Sequence, residues 1–214
     1  RSVDHSQHGF FTESFIDEVA NTVGKDSYEL RAELLRDNPR HLAVLTKAAE
    51  EADWSTPLPE GRGRGISLQE SFGSIVAQVV EVTVVNGQLS VDRVVAVIDA
   101  GIAVAPDGII AQLESGIIYG LTAALHGEIT IENGSVVQGN FDDYKSVRMS
   151  EAPVIESHVI NSGHDIGGAG EPGTPGIAPA LANAVYDATG LRIRQLPIGN
   201  FDLNYQVEES GVVA

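Results

Sequence analysis

SIVAQVVEVTVVNGQLSVDRVVAVID, residues 74–99, decides the fold. Its Asn86-Gly87 dipeptide separates two runs rich in valine and isoleucine, and it favours the type I′ turn because both central residues need positive φ. A β-hairpin is expected. A second Asn-Gly, at 133–134, joins EITI to SVVQ in the same manner. Between these hairpins, GIIAQLESGIIYGLTAAL (108–125) spaces Ile110, Leu113, Ile117, Leu121 and Leu125 at helical intervals despite three glycines. That predicts a closely packed, buried helix. VIESHVI (154–160) reads as a further strand. IAPALANAVYDATG (177–190) reads as a helix turning Ile177, Leu181 and Val185 inward.

Ahead of the hairpin the pattern is helical. In TESFIDEVANTVG (12–24), Phe15, Ile16, Val19 and Val23 form one stripe, with Thr12 as N-cap and Gly24 as stop. Asp26 or Ser27 can cap a second helix through YELRAELLR, and Pro39 can open a third through HLAVLTKAAEEA. Arg1 to Phe10 is polar and reads as irregular. STPLPEGRGRG (55–65) is a Pro- and Gly-rich break, and GRGRGIS within it reads as a turn. The chain is thus an α+β protein of mixed helices and antiparallel hairpins, with residues 1–60 mainly helical and 61–214 an α+β segment.

Composition narrows the function. A chain of 214 residues, 43% of them hydrophobic, can bury a real core. Thirteen Lys and Arg against thirty Asp and Glu give a formal charge of -17, which repels nucleic-acid phosphates. With no cysteine, the chain by itself ligates neither an iron–sulfur cluster nor a thiolate zinc, so any redox relay belongs to another chain. No apolar run is expected to reach the roughly 18 residues of a membrane span. Arg1 rather than Met opens the sequence, which implies processing or cutting upstream. Localisation is then periplasmic if a twin-arginine signal precedes it, and cytoplasmic otherwise.

The chemistry concentrates in GHDIGGAGEPGTPG (163–176), with six glycines and two prolines. Glycines let backbone N–H groups approach a ligand, and a following helix N-terminus adds partial positive charge, so the loop can cradle an anionic group. Glu171, between Gly170 and Pro172, is its acid–base candidate beside His164 and Asp165. Taken alone, such a glutamate is as well read as a solvent-facing turn residue or a cap for the helix at 177. His5 and His8 form an H-x-x-H without a third ligand and read as surface or pocket-lining residues. Ser71 to Ser74 and the Asp142-Asp143 pair read as solvated loops. No metal ligand is assigned.

GGAGEPGTPGIAPALANAVYDATGLRIRQLPI (167–198) resembles the C-terminal signature of the xanthine oxidase family of molybdenum hydroxylases. RSVDHSQHGFFTESFIDEVA, GRGRGIS, ESFGSIVAQVVEV, VIDAGIAVAPDGIIAQLESGIIYGL and NFDDYKSVRM are similar, in that order, to isoquinoline oxidoreductase beta subunits of that family. The sequence departs from the family pattern at Asp99-Ala100-Gly101, where D-C-G is usual, and at Val104-Ala105-Pro106, where V-N-P is usual. The resemblance implies the C-terminal part of a molybdopterin-binding subunit of the aldehyde oxidase and xanthine dehydrogenase type. Residues 1–60 would be the helical segment of its molybdopterin-binding region, and 61–214 the part ending in the catalytic loop and a C-terminal helix.

It implies Glu171 as catalytic base. Gln112 and Gly170, with Arg1, Ser2 and Val3, would lie on the side of the molybdopterin-type cofactor, although Gln112 also reads as a buried glutamine satisfying backbone groups. The implied activity is hydroxylation of an N-heteroaromatic or aldehyde substrate with water-derived oxygen. The implied partners are the remaining N-terminal part of the large subunit and a separate iron–sulfur subunit. Extensive apolar surface on this chain would be covered by that remainder. The alternative is a non-catalytic piece that only completes a larger subunit's core.

Overall fold

The computed structural model describes residues 1–204; the last ten of the 61–214 segment, 205–214, lie outside the described residues. Along it run α1 (Val3–Thr22), α2 (Ser27–Leu34), α3 (Pro39–Glu51), β1 (Arg62–Ser71), β2 (Ser74–Val85) and β3 (Gln88–Asp99). Then follow α4 (Pro106–Leu125), β4 (Ile131–Glu132), β5 (Ser135–Val136), β6 (Val154–Ile160) and α5 (Ile177–Thr189). The fold is α+β, as the sequence patterns require.

The β2–β3 hairpin forms around Asn86 and Gly87, whose φ values of 50° and 71° are those a type I′ turn demands. A bulge between Glu81 and Val82 shifts its register. Four strands make one sheet in the order β1-β2-β3-β6. The pairing of β3 with β6 is parallel, which a hairpin cannot provide. The crossover is α4. The 133–134 hairpin closes only two residue pairs, all of them exposed.

Of GRGRGIS, only Gly61 is turn; residues 62–67 are strand. Its alternation has period two: a Cβ on Gly63 would lie 2.2 Å from the Ala184 carbonyl oxygen, and one on Gly65 2.2 Å from that of Ala180. Glycine there lets α5 lie directly on the backbone of β1. The alternate residues, Arg62 and Arg64, point to the other face, where both reach Glu81 at 3.3 and 2.8 Å. Phe72-Gly73, expected to be part of a solvated loop, is the tight turn joining β1 to β2, with φ of 54° and 74°.

Each sheet face carries its own core. Ile66, Ile75, Ala77, Val79, Val95 and Val97 pack with Val44, Leu45, Ala48 and Ala52 of α3 and its C-terminus. On the opposite face Val76, Val80, Val94, Ala96 and Ile98 meet Leu113, Ile117 and Leu121 of α4 and Ile177, Leu181 and Val185 of α5. Period two along the strands and 3.6 along the helices produce this division.

The first helix corrects the reading of residues 1–24. It starts at Val3 rather than after Thr12, and its buried residues are Gly9, Phe10, Glu13, Asp17 and Ala20. Phe15 and Val23 are exposed. Two acids occupy the inner stripe because each is paired: Glu13 with Arg31 at 2.9 Å, and Asp17 with Arg192. Asp26 caps α2 by accepting from the backbone N–H groups of Tyr28 and Glu29. Pro39 opens α3.

Against the expectation that no apolar run is long enough, α4 is the one helix among the described residues that could cross a membrane by length and composition. Its buried stripe, Ile109, Leu113, Gly116, Ile117, Gly120, Leu121 and Ala124, is what a core helix shows.

Candidate active site

Residues 161–176 leave the carboxyl end of β6, beside the carboxyl end of its parallel neighbour β3, the edge where open parallel sheets collect ligands. Three contacts seat the loop there. The Gly167 N–H donates to the Ala100 carbonyl and the Gly168 N–H to the Phe72 carbonyl, at 3.0 and 2.8 Å. Ser74 Oγ donates to the Gly168 carbonyl at 2.6 Å. At Gly101, with φ of 78°, a Cβ would stand 2.1 Å from the Asp165 carbonyl oxygen, so only glycine lets the two segments meet.

Asp99, at the end of β3, ties this region to α3. Its carboxylate accepts from Arg40 Nε at 2.8 Å, from the Gly101 N–H at 2.8 Å and from Ser162 Oγ at 2.8 Å. Burial opposes its charge, but those three donors outweigh burial and hold its pKa below the usual aspartate value.

The first residues of the chain close over the loop. The Ser2 N–H donates to Glu171 Oε1 at 2.8 Å, and Ser2 Oγ donates to the Glu171 carbonyl at 2.7 Å. Arg1 Nε donates to the Gly170 carbonyl at 2.9 Å, Nη1 to Ser115 Oγ at 3.0 Å and Nη2 to Gln112 Oε1 at 2.9 Å. Its guanidinium also lies 5.9 Å from the centroid of the Tyr119 ring. Arg1, Ser2, Gln112, Gly170 and Glu171 therefore form one cluster drawn from three distant segments. Arg1 is anchored by these contacts.

Val3 stands beside them, its side chain exposed. Ser2 and Val3 take φ of 64° and 40°. For a β-branched residue that conformation is strained, and such strain concentrates at functional sites.

Gln112 is exposed, not a buried glutamine serving backbone groups. Its Oε1 accepts a hydrogen bond from Arg1 Nη2, and among the described residues its Nε2 has no acceptor. The helix N-terminus behaves differently from the sequence expectation. Gly173 to Ile177 are buried, so the start of α5 packs into the interior beneath the loop instead of lying open beside Glu171.

Sequence reasoning missed Ser115 and Tyr119, which hold Arg1. It also missed Ser67 and Gln78, two buried polar residues beneath the loop. A glutamine inside the apolar run SIVAQVVEV is a signal that could have found one of them. Beside Arg1 opens a groove of about 610 Å³, between Val3, Phe10 and Phe11 on one side and Tyr119 on the other, floored by Thr174 and Pro175.

Residues 23–153 match the molybdopterin cofactor-binding domain, and the chain belongs to that family. It is 34% identical over 203 residues to the beta chain of isoquinoline 1-oxidoreductase from Brevundimonas diminuta, covering 92% of this chain and 26% of that one. It is 33% identical over 218 residues to one of the subunits of nicotinate dehydrogenase from Pseudomonas putida, covering 92% and 18% respectively. The fold is similar to that of the aldehyde oxidoreductase from Desulfovibrio gigas, with a TM-score of 0.70 at 14% identity over 92% of this chain and 40% of that one. The chain spans 18–26% of the length of the two curated relatives.

The residues present fit a molybdopterin-type group. Gly168 and Gly170 are exposed, and a Cβ on Gly170 would meet nothing within 4 Å, so the loop backbone borders open space. Among the described residues the N–H groups of Ala169, Gly170 and Glu171 have no acceptor in the chain. Consecutive free N–H groups beside an exposed amide nitrogen form a donor set for an anionic, oxygen-rich ligand.

Proposed function

We propose that this chain is the part of a large molybdenum hydroxylase subunit that presents the general base, Glu171, in hydroxylating an N-heteroaromatic or aldehyde substrate. The observation that carries the reading is the Ser2 N–H bond to Glu171 Oε1. It fixes one carboxylate oxygen and leaves Oε2, which has no partner among the described residues, to accept a proton. The backbone N–H groups of residues 169–171 and Gln112 Nε2 would hold the cofactor. Arg1 would keep Gln112 and the Gly170 carbonyl in place for it, and Ser2 and Val3 would close that side. When bound, the molybdenum centre supplies the water-derived oxygen and takes up the two electrons of the oxidation.

Glu171 would accept, at Oε2, the proton released on hydroxylation of the substrate's electron-poor carbon. A glutamate held by a backbone donor presents the oxygen without searching rotamers. Gly170, lacking a side chain, leaves room beside it for a flat substrate.

The remainder of the large subunit would cover the exposed apolar side chains around the site, among them Val3, Phe11, Tyr119 and Val104. Iron–sulfur clusters would belong to a partner subunit, since this chain has no cysteine. Residues 1–60 would act as the helical segment of the molybdopterin-binding region and 61–214 as its α+β remainder.

The test is Glu171→Gln in the full-length subunit with its partner. Turnover is expected to fall by roughly 10²–10⁴-fold, the usual contribution of a positioned base, with molybdenum content unchanged. Near-normal rates would return the chain to the alternative of a piece that only completes a core.

A further inference from the structure

Gln78 lies in the middle of β2 and is fully buried, flanked by Ala77 and Val79. A strand so apolar gains nothing from an amide unless the amide holds something. Its Nε2 donates to the Gly173 carbonyl at 2.7 Å, two residues beyond Glu171. Its cross-strand partner in the register is Ser67, whose Oγ donates to the Gly176 carbonyl at 2.7 Å. Two adjacent side chains of the sheet thus hold two carbonyls, three residues apart, of the turn between Glu171 and α5.

The same turn is held from its other sides. The Thr174 N–H donates to the Glu171 carbonyl at 3.0 Å, and Thr174 Oγ1 donates to the Gly116 carbonyl of α4 at 3.2 Å. A Cβ on Gly173 would stand 2.7 Å from the Leu113 carbonyl oxygen, so α4 touches the turn backbone directly. Gln78 Oε1 has no hydrogen-bond partner among the described residues. It lies 3.0 Å from where a Cβ on Gly176 would be, against the first turn of α5, whose positive end favours a carbonyl oxygen.

We infer that Gln78 is a positioning residue for Glu171: by holding the Gly173 carbonyl it fixes the turn that aims the carboxylate. The inference rests on the reading of Glu171 as base. Gln78 does not reach the open side of the loop and touches no reacting atom.

The experiment uses the full-length holoenzyme with three forms: wild type, Gln78→Met and Gln78→Glu. Methionine has similar length but no donor. A glutamate buried there stays neutral at neutral pH, because burial raises its pKa, and its O–H can still donate to Gly173. Two readouts are taken, hydrogen exchange at the Thr174 amide and the division of any loss between kcat and KM.

The expected result is faster exchange at Thr174 in Gln78→Met, with the amides of Val79 and Val95 unchanged, and kcat lower by roughly 10- to 100-fold at constant KM. Gln78→Glu should keep most of kcat at neutral pH and lose it as pH rises and the carboxyl ionises. If Gln78→Met does not fold, the pH-dependent loss in Gln78→Glu, absent from wild type, carries the test alone. Three outcomes overturn the inference: unchanged exchange in Gln78→Met, faster exchange with unchanged kcat, or Gln78→Glu as impaired as Gln78→Met at every pH. The exchange readout needs no turnover, so it stands even if Glu171→Gln proves active and the base reading fails.

Discussion

Helices α1 and α5 pack against each other, yet they fill their inner faces with opposite chemistry. Along α5, Ile177, Ala180, Leu181, Ala184 and Val185 are buried, and glycines in β1 let its backbone come close. Along α1 the buried stripe carries Glu13 and Asp17, while Phe15 and Val23 face out. The difference teaches that α5 is held by packing, a diffuse and tolerant force. By contrast, α1 is held by matched charges that fail when one partner leaves. The contrast falls where α1 begins, next to Ser2, which bonds Glu171.

The largest expected effect breaks the α1 side. Arg31 and Glu13 are paired at 2.9 Å with almost no exposure. Arg31→Ala strands a buried carboxylate and should cost about 3–5 kcal/mol by denaturant unfolding of the full-length subunit. Replacing both residues by methionine should recover most of that loss. Recovery stays incomplete because Glu13 Oε2 also accepts the Leu68 N–H at 2.9 Å, and an orphaned N–H costs about 1–3 kcal/mol.

On the α5 side, Leu181→Ala leaves a cavity and should cost about 2–5 kcal/mol in the same measurement. Loss of the α2 cap in Asp26→Ala should cost about 1 kcal/mol. Asp26 also accepts from Trp54 Nε1 at 3.0 Å, so tryptophan fluorescence should shift with it.

The smallest effect is in pH dependence. Asp99 has a folded pKa below its unfolded value, so its contribution is fully present above about pH 4 and is lost as pH falls through the folded value. Asp99→Asn should flatten the acid limb of stability below about pH 4 and leave the neutral-to-alkaline limb unchanged. A mutant that instead altered the limb near pH 7 would show that another group governs the junction of α3 with the loop.

The same contrast explains what could be read in advance. Residues 74–99 and 177–190 announce themselves because apolar spacing and an Asn-Gly turn are local facts. The Asn133-Gly134 hairpin was equally legible as a turn, but its paired apolar residues, Ile131 and Val136, stay exposed with nothing packed on them, and its strands reach only two residues each. Gly63 and Gly65 misread as a turn because their reason, the close approach of α5, lies over 100 residues away in the chain. The first helical turns of α1 were missed because Gly9 meets Pro175 instead of an apolar stripe of its own.

At the site, Glu171, Gly170, Gln112, Arg1 and Ser2, each named from the family resemblance, contact one another. Ser67, Gln78 and Ser115 were unseen because a side chain that captures a backbone carbonyl leaves no periodic trace. The parallel pairing of β6 with β3 was unseen because periodicity gives a strand but no neighbour.

The bond between Ser2 and Glu171 joins residues 169 apart in sequence. At about 5–20 residues per second, ribosomes would deliver Glu171 roughly 10–30 s after Ser2. The nascent chain must keep the segment that carries Ser2 available, with its backbone unengaged, until Glu171 has been translated. Closure of this site therefore waits on translation of Glu171, and a ribosome that stalls before it leaves α1 without the residue that receives it.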